Sequence, residues 1–412
     1  MSSVDILFVT AVLPDTRDSM RNPAWSPAGS RFVLGLLSGL RDCGMAPSLV
    51  LTQRPRRRFP KSRAVLEFPG SIVLAEGLQA RRIPYMNLPF LRPVAVGLYV
   101  MARGMLWGRK KGRAHERVVM VTNLTEPPGW AVLAAARLAK ARAVAFVMDV
   151  GVPNGLTAAS VRWRFDRWLH RRLLPRFDGL VVVRDETHER FAPRVPFVTV
   201  HAGIPQSLVD RWRQSAEGRP RQRPDRFTLA FAGALEEING VRLMLEAMRA
   251  LPGGGLALRI AGRGPLEGVV RRAAQLDPRV EYCGFLGWEE LMTFYGDADL
   301  LLNIKVTKAV DTSSFFSSKL FEYMATGRPV LTTNMAQLEA EYGEVLYVLD
   351  DETVPGLVAA LDRLRNTARA ELVDRGLRGQ RFAAENLTWE RQGRRVRELI
   401  ERVVRSEESA PG

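Results

Sequence analysis

A chain of 412 residues, 46% of them hydrophobic, is long enough for two globular cores of about 200 residues each. No run of ~20 apolar residues is free of charge, which excludes a membrane-spanning helix. The two cysteines, Cys43 and Cys283, lie in different halves and exclude a disulfide framework or a cysteine metal motif, as suits a reducing compartment. The net charge of +16 is unevenly spread: residues 1–225 carry 36 Lys+Arg against 17 Asp+Glu, whereas residues 226–412 are slightly acidic, 24 against 27. The clusters Arg54, Arg56, Arg57, Arg58, Lys61, Arg63 and Arg109, Lys110, Lys111, Arg113 would attract an anionic surface. Aromatic and basic residues do not interleave as in nucleic-acid recognition modules, so no nucleic-acid partner is expected.

In chain order, Met1–Asp5 leads straight into a strand-like stretch at 6–10, so no signal peptide is expected. Short, apolar, β-branched stretches at 6–10, 48–52, 71–74, 118–122, 144–148, 180–183 and 198–200 read as buried strands. Helical spacing of apolar residues appears at 29–43, 129–140 and 161–174. Residues 91–108 are apolar except for Arg92 and Arg103 and run into a basic cluster, a pattern that suits either a core helix or a membrane-surface helix. The Pro- and Arg-rich stretch 214–226 reads as a linker. Alternation restarts with strands at 228–232, 257–261, 280–283, 300–303, 330–332 and 345–348 and helices at 241–251, 265–276, 288–295, 318–326 and 354–364. The fold class is therefore α/β: two Rossmann-like, doubly wound domains, at 1–213 and 227–380, with a final helical segment at 381–405. Open parallel sheets bind ligands at the carboxyl ends of their strands, so a cleft between two such sheets is the expected site.

The segment from Phe315 to Val330 holds the most chemistry. A polar turn meets a short helix, and a strand follows Pro329. Lys319 and Glu322, three apart, share a helix face near its start, where N–H groups and the dipole favour an anion. Ser318 opens that helix. This suits a nucleoside diphosphate-sugar, with a cation and N–H groups for the phosphates and a carboxylate for hydroxyls. Phe316-Ser317-Ser318-Lys319 with Glu322-Tyr323-Met324-Ala325 and Gly327-Arg328-Pro329-Val330 resembles the donor-site motif of retaining GT-B glycosyltransferases. These include glycogen synthases and phosphatidylinositol mannosyltransferases, and the pattern is nearest their capsule and O-antigen branch. Ser317 stands where that branch has Pro.

The resemblance implies further donor contacts. The loop from Gly233 to Gly240 would approach the phosphates, but Ala234 and Asn239 stand where relatives carry Arg and Lys. Each lost charge-assisted bond would cost about 1.5–3 kcal/mol. Gly262 and Gly264, around Arg263, allow close backbone approach to the nucleotide, and Phe285 falls beside the base. Asn303-Ile304-Lys305 ends a strand where the capsule branch has Asn-Pro-Arg, so Lys305 and Lys319 are expected to supply the missing positive charge. Many relatives precede the glutamate at the position of Glu322 with another in Glu-x7-Glu spacing; Ser314 stands where that first one would fall, with Asp311 nearby. In the first half, Pro27-Ala28-Gly29-Ser30-Arg31 resembles the family's Gly-Gly loop ahead of the first helix, and His201–Pro205 its hinge turn. Gly29, Asn123 and Glu126 are the acceptor-side candidates, and Asp149 is the candidate acceptor-side carboxylate for catalysis. His115, His170 and His188 have no catalytic spacing and are expected at the surface or on helices. The last helix, near Trp389, is expected to pack back on the N-terminal domain.

The resemblance implies a metal-independent glycosyltransferase with no bound cofactor. It would pass a sugar from a nucleoside diphosphate-sugar, with retention, to a hydroxyl of a saccharide or lipid-linked acceptor. Electrostatic stabilisation of the departing diphosphate would carry the chemistry. The basic first half adds an anionic membrane surface, and a cytoplasmic location on the inner face of the cell membrane. A sugar-nucleotide 2-epimerase and a catalytically silent relative acting as a binding partner are the alternatives.

Overall fold

The computed structural model describes residues 4–14, 16, 19, 22, 24, 26–57, 59–61, 65–109, 116–148, 161–216, 226–251, 253–307, 319–335 and 338–405. The chain divides into two compact units, one of residues 1–203, 313–316 and 389–412, the other of 204–312 and 317–388. Among the described residues no helix is long and apolar enough to cross a membrane.

In chain order, unit 1 contains β1 (Val4–Thr10), α1 (Pro27–Asp42), β2 (Leu49–Thr52), β3 (Leu66–Glu67), β4 (Gly70–Ala75), β5 (Leu78–Arg82) and β6 (Tyr85–Met86). It continues with α2 (Leu91–Gly108), β7 (Glu116–Thr122), α3 (Gly129–Ala139), β8 (Arg142–Val147), α4 (Val161–Leu173), β9 (Gly179–Val182), α5 (Asp185–Phe191) and β10 (Phe197–Thr199). Eight strands form one sheet in the order β10-β9-β8-β7-β1-β2-β5-β4, parallel except at the β4–β5 hairpin, while β3 and β6 pair separately. The stretch at 71–74, expected as a buried strand, is an exposed edge. Its polar neighbours and the turn through Gly77 (φ 70) fold it back on β5.

Unit 2 holds α6 (Gln206–Ala216), β11 (Phe227–Ala234), α7 (Val241–Ala250), β12 (Leu256–Arg263), α8 (Glu267–Leu276), β13 (Val280–Tyr282), α9 (Trp288–Gly296) and β14 (Leu300–Asn303). Then come α10 (Lys319–Ala325), β15 (Val330–Thr333), α11 (Leu338–Tyr342), β16 (Tyr347–Leu349), α12 (Val354–Arg365) and α13 (Arg369–Asn386). Its six-stranded sheet is wholly parallel, ordered β13-β12-β11-β14-β15-β16. Its core is one cluster built from alternate strand residues such as Leu229, Leu258, Leu300 and Leu331 with the apolar faces of α7 and α12.

The division falls inside the His201–Pro205 turn rather than within 214–226. The reason is the amphipathic character of α6. Leu208, Val209 and Trp212 are buried, Trp212 lies against Gly296, and Arg211 pairs with Glu289, so the helix is part of unit 2. The second crossing is at Thr388/Trp389, later than the expected 381, because α13 runs unbroken to Asn386 and stays in unit 2.

The last helix, α14 (Trp389–Arg405), belongs to unit 1 and lies against α1. Glycines make this contact possible. A Cβ on Gly35 would stand 2.0 Å from the Trp389 ring, and one on Gly39 2.0 Å from the Trp389 carbonyl oxygen. Phe32 meets the same indole edge-on at 5.1 Å. A side chain at Gly35 must displace Trp389, and overpacking of this kind costs about 1–3 kcal/mol. Gly35→Leu should therefore lower Tm by about 2–4 °C per kcal/mol lost; an unchanged calorimetric Tm would show that the helix seat is loose.

Candidate functional site

The order of the second sheet reverses direction between β11 and β14, and doubly wound sheets bind ligands at such a point, outside the carboxyl ends of the strands. The two strands pair only at Leu229↔Leu300 and Ala230↔Leu301, then separate. The peptide groups of β11 beyond that point need other partners. α10 supplies them. Lys319 Nζ donates to the Ala232 carbonyl at 2.8 Å, and the Tyr323 hydroxyl, one turn on, accepts from the Ala232 N–H at 3.1 Å. Tyr323 is buried, and burial raises its pKa far above the ordinary phenol value, so it stays neutral.

Lys305 follows the end of β14. Its N–H donates to Thr333 Oγ1 and its carbonyl accepts from the same hydroxyl, both at 2.9 Å. Its amino group donates to Asn239 Oδ1, and Asn239 Nδ2 donates in turn to the Ala234 carbonyl at 2.8 Å. Burial, together with the neighbouring positive charge of Lys319, pushes the Lys305 pKa down to about 8, while Glu236 opposes the shift. Two ammonium groups are thus held near one another at the reversal point, a charge distribution that a doubly anionic ligand would relieve.

Backbone approach is close here. A Cβ on Gly262 (φ 135) would lie 1.8 Å from the Gly233 carbonyl oxygen, and one on Gly264 would lie 2.6 Å from the Leu235 carbonyl oxygen. The adjacent Arg263 guanidinium sits 4.2 Å from the centre of the exposed Phe285 ring. Glu322 is half-buried on α10 beside Lys319 and Tyr323. The structure therefore brings Gly233, Ala234, Asn239, Gly262, Gly264, Phe285, Lys305, Lys319 and Glu322 to one sheet edge. Ser318, Ser314 and Asp311 lie outside the described residues, as does Asp149.

In unit 1, Gly29 is not in a loop ahead of the helix but in the first turn of α1, its N–H donating to the capping Ser26 hydroxyl at 3.2 Å. The first sheet reverses between β1 and β7, and Asn123 and Glu126 follow β7 there. Asn123 (φ 58) accepts the Met148 N–H at 3.2 Å through its side chain, which shapes the turn. Glu126 lines a small pocket with Gln53, Asn87, Arg92 and Thr125, and accepts from the buried Arg92 at 2.7 Å. His170 and His188 prove buried, His188 stacking on Phe197 at 3.8 Å.

Sequence reasoning missed Tyr323, Thr333 and Arg92. Tyr323 was legible as the i+4 partner of Lys319; the other two depend on tertiary contacts. It also read Asn239 only as a lost cation, whereas this side chain seats Lys305. Among the described residues no three His, Cys, Asp or Glu side chains come together as metal ligands.

Two units with parallel sheets, one carrying this cluster at its reversal point, define a protein of the GT-B fold. Residues 226–367, within the second unit but for 313–316, match the family profile described as "Glycosyl transferases group 1". The chain is similar to the "Putative colanic acid biosynthesis glycosyltransferase WcaL" of Escherichia coli K12, 27% identical over 47% of this chain and 53% of the relative. It thus spans about half the length of that relative. Its similarity to the protein of the same description from Salmonella typhimurium is 23% over 63% of this chain and 71% of the relative. Among solved structures, sucrose-phosphate synthase from Thermosynechococcus elongatus superposes with a TM-score of 0.66 at 15% identity, covering 98% of this chain and 100% of that one. HepE from Anabaena, solved with UDP, gives 0.64 at 14% identity, covering 97% and 100%.

The depressed pKa of Lys305 makes a two-sided prediction. The folded value of about 8 lies below the unfolded 10.5, so folding disfavours the proton: stability rises as pH climbs from about 8 toward 10.5 and is lower below 8. Near neutral pH, Lys305→Met should raise Tm by a few degrees while weakening nucleoside diphosphate binding about tenfold or more. The wild-type affinity should fall as pH rises through 8, and the variant should lose that dependence. Calorimetric titration across this range checks both; a variant that is less stable and binds unchanged would remove Lys305 from the site.

Proposed function

We propose that this protein is a glycosyltransferase that takes a sugar from a nucleoside diphosphate-sugar and passes it to a hydroxyl of a saccharide or lipid-linked acceptor, with retention and without a metal. The observation that carries the reading is the pair Lys305 and Lys319 at the β11/β14 reversal point, each amino group anchored by one oxygen of the β11 edge or its loop. The group 1 match over residues 226–367 covers the same elements. In this reading the diphosphate lies against Gly233 and Ala234, which present backbone rather than side chain, and the two lysines neutralise the charge that develops as the sugar departs. Gly262 and Gly264 admit the nucleotide, Phe285 lies along the base, and Glu322 accepts from sugar or ribose hydroxyls. Asn239 acts through Lys305 as a positioning residue. Asp149, Gly29, Asn123 and Glu126 are assigned to the acceptor side, with Asn123 acting through the turn it shapes.

The UDP bound to HepE makes uracil the first base to test, and the likeness to a putative colanic acid biosynthesis glycosyltransferase supports a role in polysaccharide biosynthesis. We place such a protein in the cytoplasm, at the inner membrane face where lipid-linked acceptors are found.

Titration with UDP, GDP and dTDP should reveal micromolar to submillimolar binding of one of them. Lys319→Ala and Glu322→Ala should fold and each lower donor-dependent kcat/KM by about 10–100-fold, the loss expected for one charge-assisted hydrogen bond. Binding without any donor-dependent turnover would favour the silent-relative reading, and turnover of UDP-GlcNAc without acceptor the epimerase. Unchanged rates in both variants would dismiss the assigned roles.

A further inference from the structure

Resting on the reading of a membrane-side enzyme, we propose that the outer face of the layer formed by α2, α3 and α4 docks unit 1 onto an anionic lipid bilayer. The three helices cover the same face of the first sheet. Val96, Val100 and Trp107 of α2, Ala131 to Ala139 of α3, and Leu169 and Leu173 of α4 pack into one core with alternate residues of β1, β7, β8 and β9. Their buried sides are therefore accounted for, and their opposite sides face away from the sheet.

Those opposite sides are apolar where a water-facing helix is polar. On α2, Leu91, Val94, Leu98 and Leu106 recur at helical spacing and are each at least half exposed. Trp130 of α3 lies over Gly97, where a Cβ would meet its ring at 2.3 Å, so the indole bridges α2 and α3 and remains 39% exposed. On α4, Phe165 and Trp168 stack at 5.7 Å, both more than half exposed, with the Arg172 guanidinium 6.0 Å from the Trp168 ring. Nine of the eighteen large hydrophobic residues exposed among the described ones lie on this layer or at Phe90, immediately before it.

The charge on the same layer is almost all of one sign. The three helices contain eight arginines and one acid, Asp166, which accepts from Thr125 at 2.7 Å. Exposed cations ring the apolar residues: Arg109, Arg137, Lys140, Arg164, Arg171 and Arg172. Exposed leucines and tryptophans together with arginines are the side chains that suit a bilayer surface, which offers an acyl boundary, an interface and headgroup phosphates. A protein partner of ordinary composition would need carboxylates placed against each arginine. A sheet of anionic headgroups supplies that charge everywhere, which is why the lipid surface is the occupant we assign.

The test is flotation of the full chain with vesicles of phosphatidylcholine alone or mixed with phosphatidylglycerol. Binding should be confined to the anionic vesicles and fall at about 0.5 M salt, where screening is nearly complete. Leu98→Glu with Trp168→Glu should lower it at least about tenfold, and Arg164→Glu with Arg171→Glu should do likewise. These exposed changes should leave Tm and nucleoside diphosphate affinity as they were, so a failed donor reading and a failed docking face are told apart on the same preparations. Absence of binding to anionic vesicles, or equal binding of wild type and both variants, overturns the proposal. So does a concentration-dependent dimer that Leu98→Glu abolishes, which would assign the face to a second copy.

Discussion

The candidate site hangs on the peptide of Ala232. Where β14 leaves β11, this peptide has lost its strand neighbour on one side, and a buried peptide group cannot go unpaired. Two side chains of α10 complete it, a phenol and an ammonium. The ammonium is thereby fixed at the sheet edge in the absence of any ligand. Preorganisation of this kind matters because the donor's charge need not recruit and order a lysine from solvent. The strand reversal that creates the opening also dictates what fills it.

The second cation has a different support and a different cost. Lys305 is desolvated and repelled by Lys319, and its amino group donates to Asn239. A buried ammonium beside another is unfavourable for folding, and nothing in the sheet requires it: an apolar side chain would serve the strand end better. Local loss of stability at a site is commonly the mark of function, since the strain is relieved only when the ligand arrives. An amide in the Gly233–Gly240 loop combined with a lysine from the next strand puts positive charge near where a cation in the loop itself would stand. In the proposed reading, Ala234 and Asn239 then mark a relocation of charge rather than a plain loss of it.

How far this was legible in the sequence follows from which information is local. Strand–helix alternation and the Phe315–Val330 pattern are local, and they specified α/β sheets and the Lys319–Glu322 face. Lys305 was legible through its place after a buried strand. The seat made by Asn239 and the Thr333 hydroxyl was not, because residues 66 and 28 positions away in sequence meet only in the folded sheet. The 214–226 stretch misled because Pro and Arg content marks a loop without saying on which side of it the chain changes units. The decisive evidence was the apolar stripe Leu208, Val209 and Trp212 just upstream, at helical spacing and needing a core to bury it.

Charge and exposed apolar surface are independent properties, yet they are partitioned alike. Both lysines of the candidate site, Lys305 and Lys319, lie in the half of the chain whose net charge is slightly negative, so the site makes no use of the excess in residues 1–225. Exposed large hydrophobics follow the same division: among the described residues, fourteen of the eighteen lie in unit 1. A biased arginine content would scatter cations over both units without regard to Leu98 or Trp168. Random surface leucines, equally, would have no reason to cluster where acids are nearly absent. The coincidence on three neighbouring helices is what a face needs when it must stay soluble in water and still favour a negatively charged interface. The arginines supply solubility in the free state and attraction near the surface, and the apolar residues supply the short-range contact once the charges have drawn the face in.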